Sequence, residues 1–315
     1  MKTLAKIFID GEAGTTGLQI AERLATRGDL ELIKLGDATR KDAGARRDAL
    51  NAADIAILCL PDDAARESVA WVENPATRII DASTAHRTED GWIYGFPEYD
   101  PAQRDRLRES TRISNPGCFA IASVAILHPL VAAGLLPADW PVSINAVSGY
   151  SGGGKALIAE FERSSNAINA TVYDYALSLS HKHVPEITFW SGLAHSPIFL
   201  PAVGHYYKGM LVHVPLALWA LPGAPTPQAV REIYRAHYAG ERFVTLADAA
   251  ADSAPAKLDP ESLNDSNELC LHILQDADNA NVVIVGQLDN LGKGASGQAV
   301  QTLNLLLGCD EASGL

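Results

Sequence analysis

The chain predicts an α/β protein in two parts, a parallel-sheet domain followed by a mixed α+β domain. Three observations carry this. Short apolar runs alternate with helical stretches over the first third. After residue 118 the strand candidates are longer and separated by longer insertions. The length of 315 residues exceeds what one ordinary core holds.

Ile7 to Ile9 reads as a strand, Leu18 to Arg27 as a helix ending near Gly28, and Leu30 to Leu35 as a second strand. Asp54 to Leu60, closed by Pro61, and Arg78 to Ala82 are continuous apolar runs. Such runs, alternating with helices, are strands buried on both faces of a parallel sheet. Phe119 to Val131 is apolar nearly all round, a buried helix broken late by Pro129. Val142 to Val147, Phe199 to Val203, Gly209 to Leu218 and Leu269 to Leu274 follow as strands, which suits an α+β domain. Pro222 to Pro227 and Ala249 to Pro260 read as surface loops. Val282 to Val285 is a further strand, and Asp289 to Gly297 a glycine-rich loop. Gln298 to Leu307 reads as an amphipathic helix with Val300, Leu303, Leu306 and Leu307 as its stripe, packing back on the first domain. The expected division is 1–117 with 290–315, and 118–289.

A net charge of −13 argues against nucleic-acid or anionic-membrane partners, which need a basic surface. The four cysteines form no Cys-x-x-Cys pair, so neither a disulfide framework nor a zinc site is expected. Met1 to Lys6 carries no apolar signal core, and no segment reaches a transmembrane length. The expectation is a cytoplasmic protein with no metal.

The first strand leads into Asp10-Gly11-Glu12-Ala13-Gly14-Thr15-Thr16-Gly17 and then a helix. Gly11, Gly14 and Gly17 give G-x-x-G-x-x-G, a relative of the dinucleotide fingerprint. It supplies a tight turn and N–H groups at a helix N-terminus that can face a pyrophosphate. A Rossmann-type domain with a nicotinamide cofactor follows. Asp37 stands where an acid could bind the ribose of NAD, but Lys34, Arg40 and Lys41 surround it and suit the extra phosphate of NADP. NADP (NADPH) is the cofactor expected, with Arg40 on that phosphate.

In Arg112-Ile113-Ser114-Asn115-Pro116-Gly117-Cys118, Pro116 and Gly117 force a sharp turn that sets Cys118 in the first turn of the apolar helix. There the helix dipole and free N–H groups favour the thiolate and can stabilise an oxyanion. Beside a nicotinamide, a thiol nucleophile converts an acyl phosphate into a thioester that accepts hydride. In His181-Lys182-His183-Val184-Pro185-Glu186, both histidines share one side of an expected strand and offer acid–base groups. Gly149 to Lys155 satisfies G-x-x-x-x-G-K, but Ala156 removes the Mg²⁺-binding hydroxyl of an ATPase loop. A backbone nest for the substrate phosphate is the expected use. Arg87 and Arg112 are candidates for a substrate carboxylate because guanidinium matches it geometrically.

DGEAGTTGLQI (Asp10–Ile20), DASTAHR (Asp81–Arg87), GFPE (Gly95–Glu98), SNPGC (Ser114–Cys118), SGYSGGGK (Ser148–Lys155), HKHVPEI (His181–Ile187) and NLGKGASGQA (Asn290–Ala299) occur in that order. Together they resemble the N-acetyl-γ-glutamyl-phosphate reductases in their shorter form, over nearly the whole chain. The resemblance implies a Rossmann domain plus a domain of the glyceraldehyde-3-phosphate dehydrogenase type. It implies NADPH reduction of N-acetyl-glutamyl 5-phosphate to the semialdehyde in arginine biosynthesis, and a homo-oligomer, dimer or tetramer. Cys118 becomes the nucleophile and the His181/His183 pair the acid–base group, with the choice between them open. Gly11, Gly14, Thr15, Thr16, Gly17, Ser83, Asn290, Gly292 and Gly294 become cofactor contacts. Asn115, Ser148, Gly149, Tyr150, Ser151 and Gly152 become substrate contacts. Three alternatives stand beside this reading: an aspartate-semialdehyde dehydrogenase-like enzyme, an ATP-binding phosphotransfer enzyme, and an NADP-sensing binding protein that has lost catalysis.

Overall fold

The structure is a computed structural model that describes residues 4–162, 168–247 and 257–315. Most of the loop expected over Ala249 to Pro260, up to residue 256, lies outside them. The chain divides into two compact units. The first comprises the described residues up to Pro97, with Pro101–Gly117 and Ala295–Leu315; the second comprises Glu98–Asp100 and Cys118–Gly294.

In the first unit, β1 (Ala5–Asp10), α1 (Thr15–Leu24), β2 (Leu30–Ile33), α2 (Ala43–Ala52), β3 (Ile55–Leu58), α3 (Asp62–Ala70) and β4 (Arg78–Asp81) alternate. They are followed by β5 (Ile93–Tyr94), α4 (Gln103–Glu109) and β6 (Arg112–Ser114), and, from the far end of the chain, α9 (Gly297–Leu307). The sheet is parallel throughout, in the order β2-β1-β3-β4-β6-β5. Alternate residues of each run go to opposite faces. Ile7, Ile9, Ile55, Ile57 and Ile80 meet α1 and α9, whereas Phe8, Ala56, Leu58 and Ile79 meet residues of α2 and α3. Burial on both faces is why these strands are apolar without a polar alternation. Asp10, Leu58, Asp81 and Ser114 form one row across the carboxyl ends of their strands. The loops that leave this row occupy the edge where open α/β sheets bind ligands.

The amphipathic reading of α9 needs correction. Its polar residues Gln298, Gln301, Thr302 and Asn304 are as buried as Val300 and Leu303. The chain end folds back over them: Gln301 Nε2 donates to Glu311 Oε2 at 2.9 Å, and Asn304 Nδ2 donates to the carbonyls of Glu311 and Ser313. Protein groups rather than water thus take up much of the polar face, while Gln298 Oε1 has no hydrogen-bond partner among the described residues.

The second unit holds α5 (Cys118–Ala132), β7 (Ser143–Gly149), α6 (Gly154–Glu162), β8 (Val172–Asp174), α7 (Val184–Ser191), β9 (Ile198–Gly204) and β10 (Met210–Ala217). It continues with α8 (Pro227–His237), β11 (Val244–Leu246), β12 (Leu269–Gln275) and β13 (Asn281–Leu288). Its mixed sheet runs β11-β12-β13-β10-β7-β9-β8. Helix α5 lies on β13 and β10 and is itself covered by α7 and α8, so it is buried on every side, as its composition predicts.

That helix does not break at Pro129 but runs through it to Ala132. Proline removes the N–H that would bond to the carbonyl four residues back, here Ala125. Tyr238 Oη donates to that carbonyl at 2.8 Å, and Tyr234 Oη donates to the next, Ile126, at 2.6 Å. The Tyr238 phenol thus replaces the donor that the proline takes away, and Tyr234 adds a second buried bond beside it. Among the described residues no helix is long and apolar enough to cross a membrane.

Candidate active site

Strand β1 ends at Asp10, which is buried and held by Arg46 (Nε and Nη2, each 3.0 Å) and by Ser68 Oγ at 2.9 Å. The chain then turns at Gly11 with φ +88°, where a Cβ would overlap the carbonyl of Cys59. Gly17 is equally constrained, since its Cβ would stand 2.5 Å from the Gly11 carbonyl. Gly14 is the N-cap of α1 and brings no capping side chain, so the first-turn N–H groups of Thr15 to Gly17 receive none from it. Beside this turn lies a cavity of about 700 Å³, lined among others by Gly11, Glu12, Ala13, Lys34, Asp37, Arg40 and Lys41. Asp37 is fully exposed and paired to Arg40 at 3.2 Å, so the rim carries an excess of positive charge. Ser83 does not line it. Its hydroxyl donates to Asp81 Oδ2 at 2.7 Å and accepts from the Ala85 N–H, which takes it into its own turn.

At β6 the turn of Asn115, Pro116 and Gly117 is built tightly. The Asn115 N–H donates to the Asp81 carbonyl at 2.7 Å, and Asn115 Nδ2 donates to Ala295 O at 3.1 Å. Its Oδ1 is buried without a hydrogen-bond partner among the described residues, as expected of an atom kept for a ligand or water. Arg87 is not a free carboxylate binder: it is buried, and its guanidinium donates to the carbonyls of Asn115 (3.0 Å) and Ala82 (3.2 Å), bracing the turn. Arg112 is also corrected. It opens β6 at the end opposite Ser114 and donates to the carbonyls of Thr77 and Thr111. Residue types suggested both arginines; their carbonyl partners are a matter of tertiary structure.

Cys118 is the first residue of α5 and is half-buried. Cys59, just after β3, behaves differently: burial, with Asp81 and Asp10 adding, pushes its thiol up to about 12.

His181 and His183 do not lie on a strand but in the turn that enters α7, with His183 as its N-cap. The turn itself brings the rings together, 4.7 Å between centroids. The His183 N–H donates to His181 Nδ1 at 3.1 Å, so the neutral ring of His181 carries its proton on Nε2. That atom faces Tyr175 Oη at 3.3 Å. Burial first, then the charge of Cys118, raises the Tyr175 phenol above its ordinary range, so it stays protonated. Phe119, next to Cys118, meets both histidine rings edge-on at 5.9 and 6.0 Å. Tyr175 is the residue the sequence reading missed; its only signal was an aromatic six positions before His181, beside Tyr173.

The first three N–H groups of the glycine segment that ends β7 are already taken. The N–H groups of Gly149, Tyr150 and Ser151 donate to the carbonyls of Gly209, Tyr206 and Tyr207. The Tyr150 ring stacks on Phe161 and its hydroxyl donates to Glu162. Ser151 Oγ accepts from Asn290 Nδ2 at 3.0 Å, while Asn290 Oδ1 accepts from the Gly209 N–H at 2.8 Å. Asn290 thus donates through Nδ2 and accepts through Oδ1 within its own unit. Ser148 Oγ stands beside Gly152, where a Cβ would be 3.4 Å away. The glycines of the last loop also have packing partners. A Cβ at Gly292 would overlap the Ser266 carbonyl, and one at Gly294 would stand 2.8 Å from Cβ of Cys118.

Two family profiles match the chain: the semialdehyde dehydrogenase NAD-binding domain over residues 12–107, and the semialdehyde dehydrogenase dimerisation domain over residues 118–290. N-acetyl-gamma-glutamyl-phosphate reductase 2 of Pseudomonas putida is 51% identical over 308 residues, covering 98% of both chains. N-acetyl-gamma-glutamyl-phosphate reductase of Burkholderia ambifaria is 50% identical over 310 residues, again covering 98% of each. Among solved structures, aspartate semialdehyde dehydrogenase II of Vibrio cholerae superposes with a TM-score of 0.71 at 14% identity, covering 98% of this chain and 99% of that one. At that identity the likeness speaks for the fold alone.

Proposed function

We propose a reaction from a premise the comparisons supply: this chain belongs to the N-acetyl-γ-glutamyl-phosphate reductases, nicotinamide-dependent oxidoreductases within the semialdehyde dehydrogenase family. The reaction is reduction of N-acetyl-L-glutamyl 5-phosphate to N-acetyl-L-glutamate 5-semialdehyde and phosphate, a step of arginine biosynthesis. The observation that carries it is Cys118 at the head of a buried, largely apolar helix, with two histidine rings set against its neighbour Phe119.

The Cys118 thiolate attacks the acyl-phosphate carbonyl; the carbon–oxygen bond to phosphate breaks, and phosphate leaves with its electron pair. A thioester on Cys118 remains. NADPH, when bound, supplies the hydride that the thioester carbonyl accepts. First-turn N–H groups of α5 and the Tyr175 hydroxyl hold the oxyanion that forms. As the oxyanion collapses, the carbon–sulfur bond breaks, releasing aldehyde and returning the thiolate. His181 takes the acid–base role, because its Nδ1 is fixed by the His183 N–H and only Nε2 exchanges a proton. His183, buried and capping α7, positions it.

The cavity beside Gly11 fits a dinucleotide, and NADP is the form proposed, with Arg40, Lys41 and Lys34 on the extra phosphate. The second compact unit, Glu98–Asp100 with Cys118–Gly294, is taken as the catalytic and oligomerisation part and the first as the cofactor part, so Asn290 to Gly294, expected with the cofactor part, go with the catalytic one. A homo-oligomer, dimer or tetramer, is proposed from the dimerisation-domain match and from the face of the second sheet opposite α5. There Ile198, Leu200, Asn145 and Pro215 are exposed. Four cysteines outside disulfides suit the reducing cytoplasm.

The test is the reaction run backwards, with NADP⁺, inorganic phosphate and either N-acetylglutamate 5-semialdehyde or aspartate semialdehyde. NADPH should form with the acetylated substrate only, require phosphate, and vanish in Cys118→Ala. Equal turnover of aspartate semialdehyde would overturn the assignment.

A further inference from the structure

Among the described residues, the charge pair most completely removed from water takes no part in the chemistry above. Lys293 Nζ donates to both carboxylate oxygens of Glu98, at 2.9 and 3.0 Å, and neither side chain exposes any surface. The same Nζ stands 5.4 Å from the Phe243 ring centroid. An ion pair removed from water is a weak source of stability, and its best-attested use is to fix register.

What this pair can fix follows from the chain around it. Lys293 lies in a π-helical turn, Gly292–Ser296, closed by the Gly294 N–H donating to the Asp289 carbonyl at 3.0 Å. Turns of this kind are scarce and sit frequently at functional sites. On one side Asp289 anchors the turn, accepting from the N–H groups of Leu291 and Asp265 at 2.9 Å each. On the other side the anchor is Glu98. Between them is Gly294, whose missing side chain lets its backbone approach Cβ of Cys118, with 2.8 Å between that atom and any Cβ placed there. The residue bonded to the buried lysine is therefore the one seated on the nucleophile.

We propose that Glu98 and Lys293 are a positioning pair, which sets the register of the Gly292–Ser296 turn so that the Gly294 backbone holds the Cys118 thiol at the head of α5. This rests on the reading of Cys118 as the nucleophile. Its failure is separable from failure of the proposed reaction, because the thiol can be probed without substrate.

The experiment measures iodoacetamide alkylation of Cys118 against pH in the full chain, following the peptide by mass spectrometry, in wild type, Glu98→Gln and Lys293→Met. Direct electrostatics would move the two variants oppositely: losing the cation raises the pH midpoint and losing the anion lowers it. Loss of register moves both the same way. The expected result is a midpoint raised in both by roughly one pH unit, a tenfold loss of thiolate at fixed pH. Opposite shifts, or two unchanged midpoints, would overturn the proposal. Should a single variant fail to fold, the double variant Glu98→Gln/Lys293→Met leaves no unpaired buried charge. It must still show the raised midpoint; a wild-type midpoint there also overturns the proposal. A shift in all variants with no turnover of the acetylated substrate would leave the pair standing and remove the reaction.

Discussion

The glycine loops at Gly11–Gly17 and Gly292–Gly297 look alike as sequences, and the structure uses them differently. Gly11 has a positive φ and presses on a carbonyl so that the chain can turn beside an open cavity. Gly292 and Gly294 press on Ser266 and Cys118, and the amide of Asn290 bonds Ser151 and Gly209. One loop borders an open cavity; the other closes on a cysteine. Glycine spacing alone does not separate them, because both demand close backbone approach.

Alanine at each position breaks or sharpens this contrast, and these variants carry the largest expected effects. Gly294→Ala pushes a methyl against Cys118 and should lower kcat roughly 100-fold, the scale of a small misplacement of a reacting group, with NADPH affinity unchanged. Gly11→Ala should abolish measurable NADPH binding by calorimetry and leave Cys118 alkylation intact. If Gly294→Ala instead weakened NADPH binding at constant alkylation rate, the last loop would be a cofactor loop after all.

A smaller effect belongs to the cavity rim. Replacing Arg40 and Lys41 by alanine should weaken NADPH binding by about tenfold or more, the scale of one charged hydrogen bond to phosphate, while NADH binding stays unchanged. Equal losses for both cofactors would remove the assignment to the extra phosphate.

A separate effect, on stability rather than on the loops, concerns His128, in the second unit, stacked on Tyr99 at 3.9 Å. Burial, with His237 adding, lowers its pKa from 6.5 to about 4. The folded ring resists a proton that the unfolded ring accepts below 6.5, so its contribution to stability is present above that pH and is lost as pH falls from 6.5 to 4. The urea midpoint should fall across this window, and His128→Gln should flatten the slope. An identical slope in the variant would contradict this.

Cys118 was legible because its signal is local: Asn-Pro-Gly before an apolar helix leaves few conformations, and the structure places the residue where that turn puts it. The parallel sheet was legible for the same reason, each buried run carrying its own burial in its composition. What stayed hidden depends on distant partners. The N–H groups of Gly149 to Ser151 suggest a phosphate nest until the carbonyls of Tyr206, Tyr207 and Gly209 arrive to take them. Pro129 suggests a break until Tyr238 bonds to Ala125. Tyr175 lies 57 positions from Cys118 in sequence, a plain aromatic until folding brings it to His181.

The central claim is that acyl transfer passes through Cys118. The direct measurement mixes the protein with N-acetyl-L-glutamyl 5-phosphate in the absence of NADPH, quenches in acid, and maps the acylated peptide by mass spectrometry. The predicted result is one N-acetylglutamyl group on Cys118, formed with stoichiometric phosphate release and absent from Cys118→Ala. Phosphate release without an adduct, or an adduct on any other residue, would contradict it.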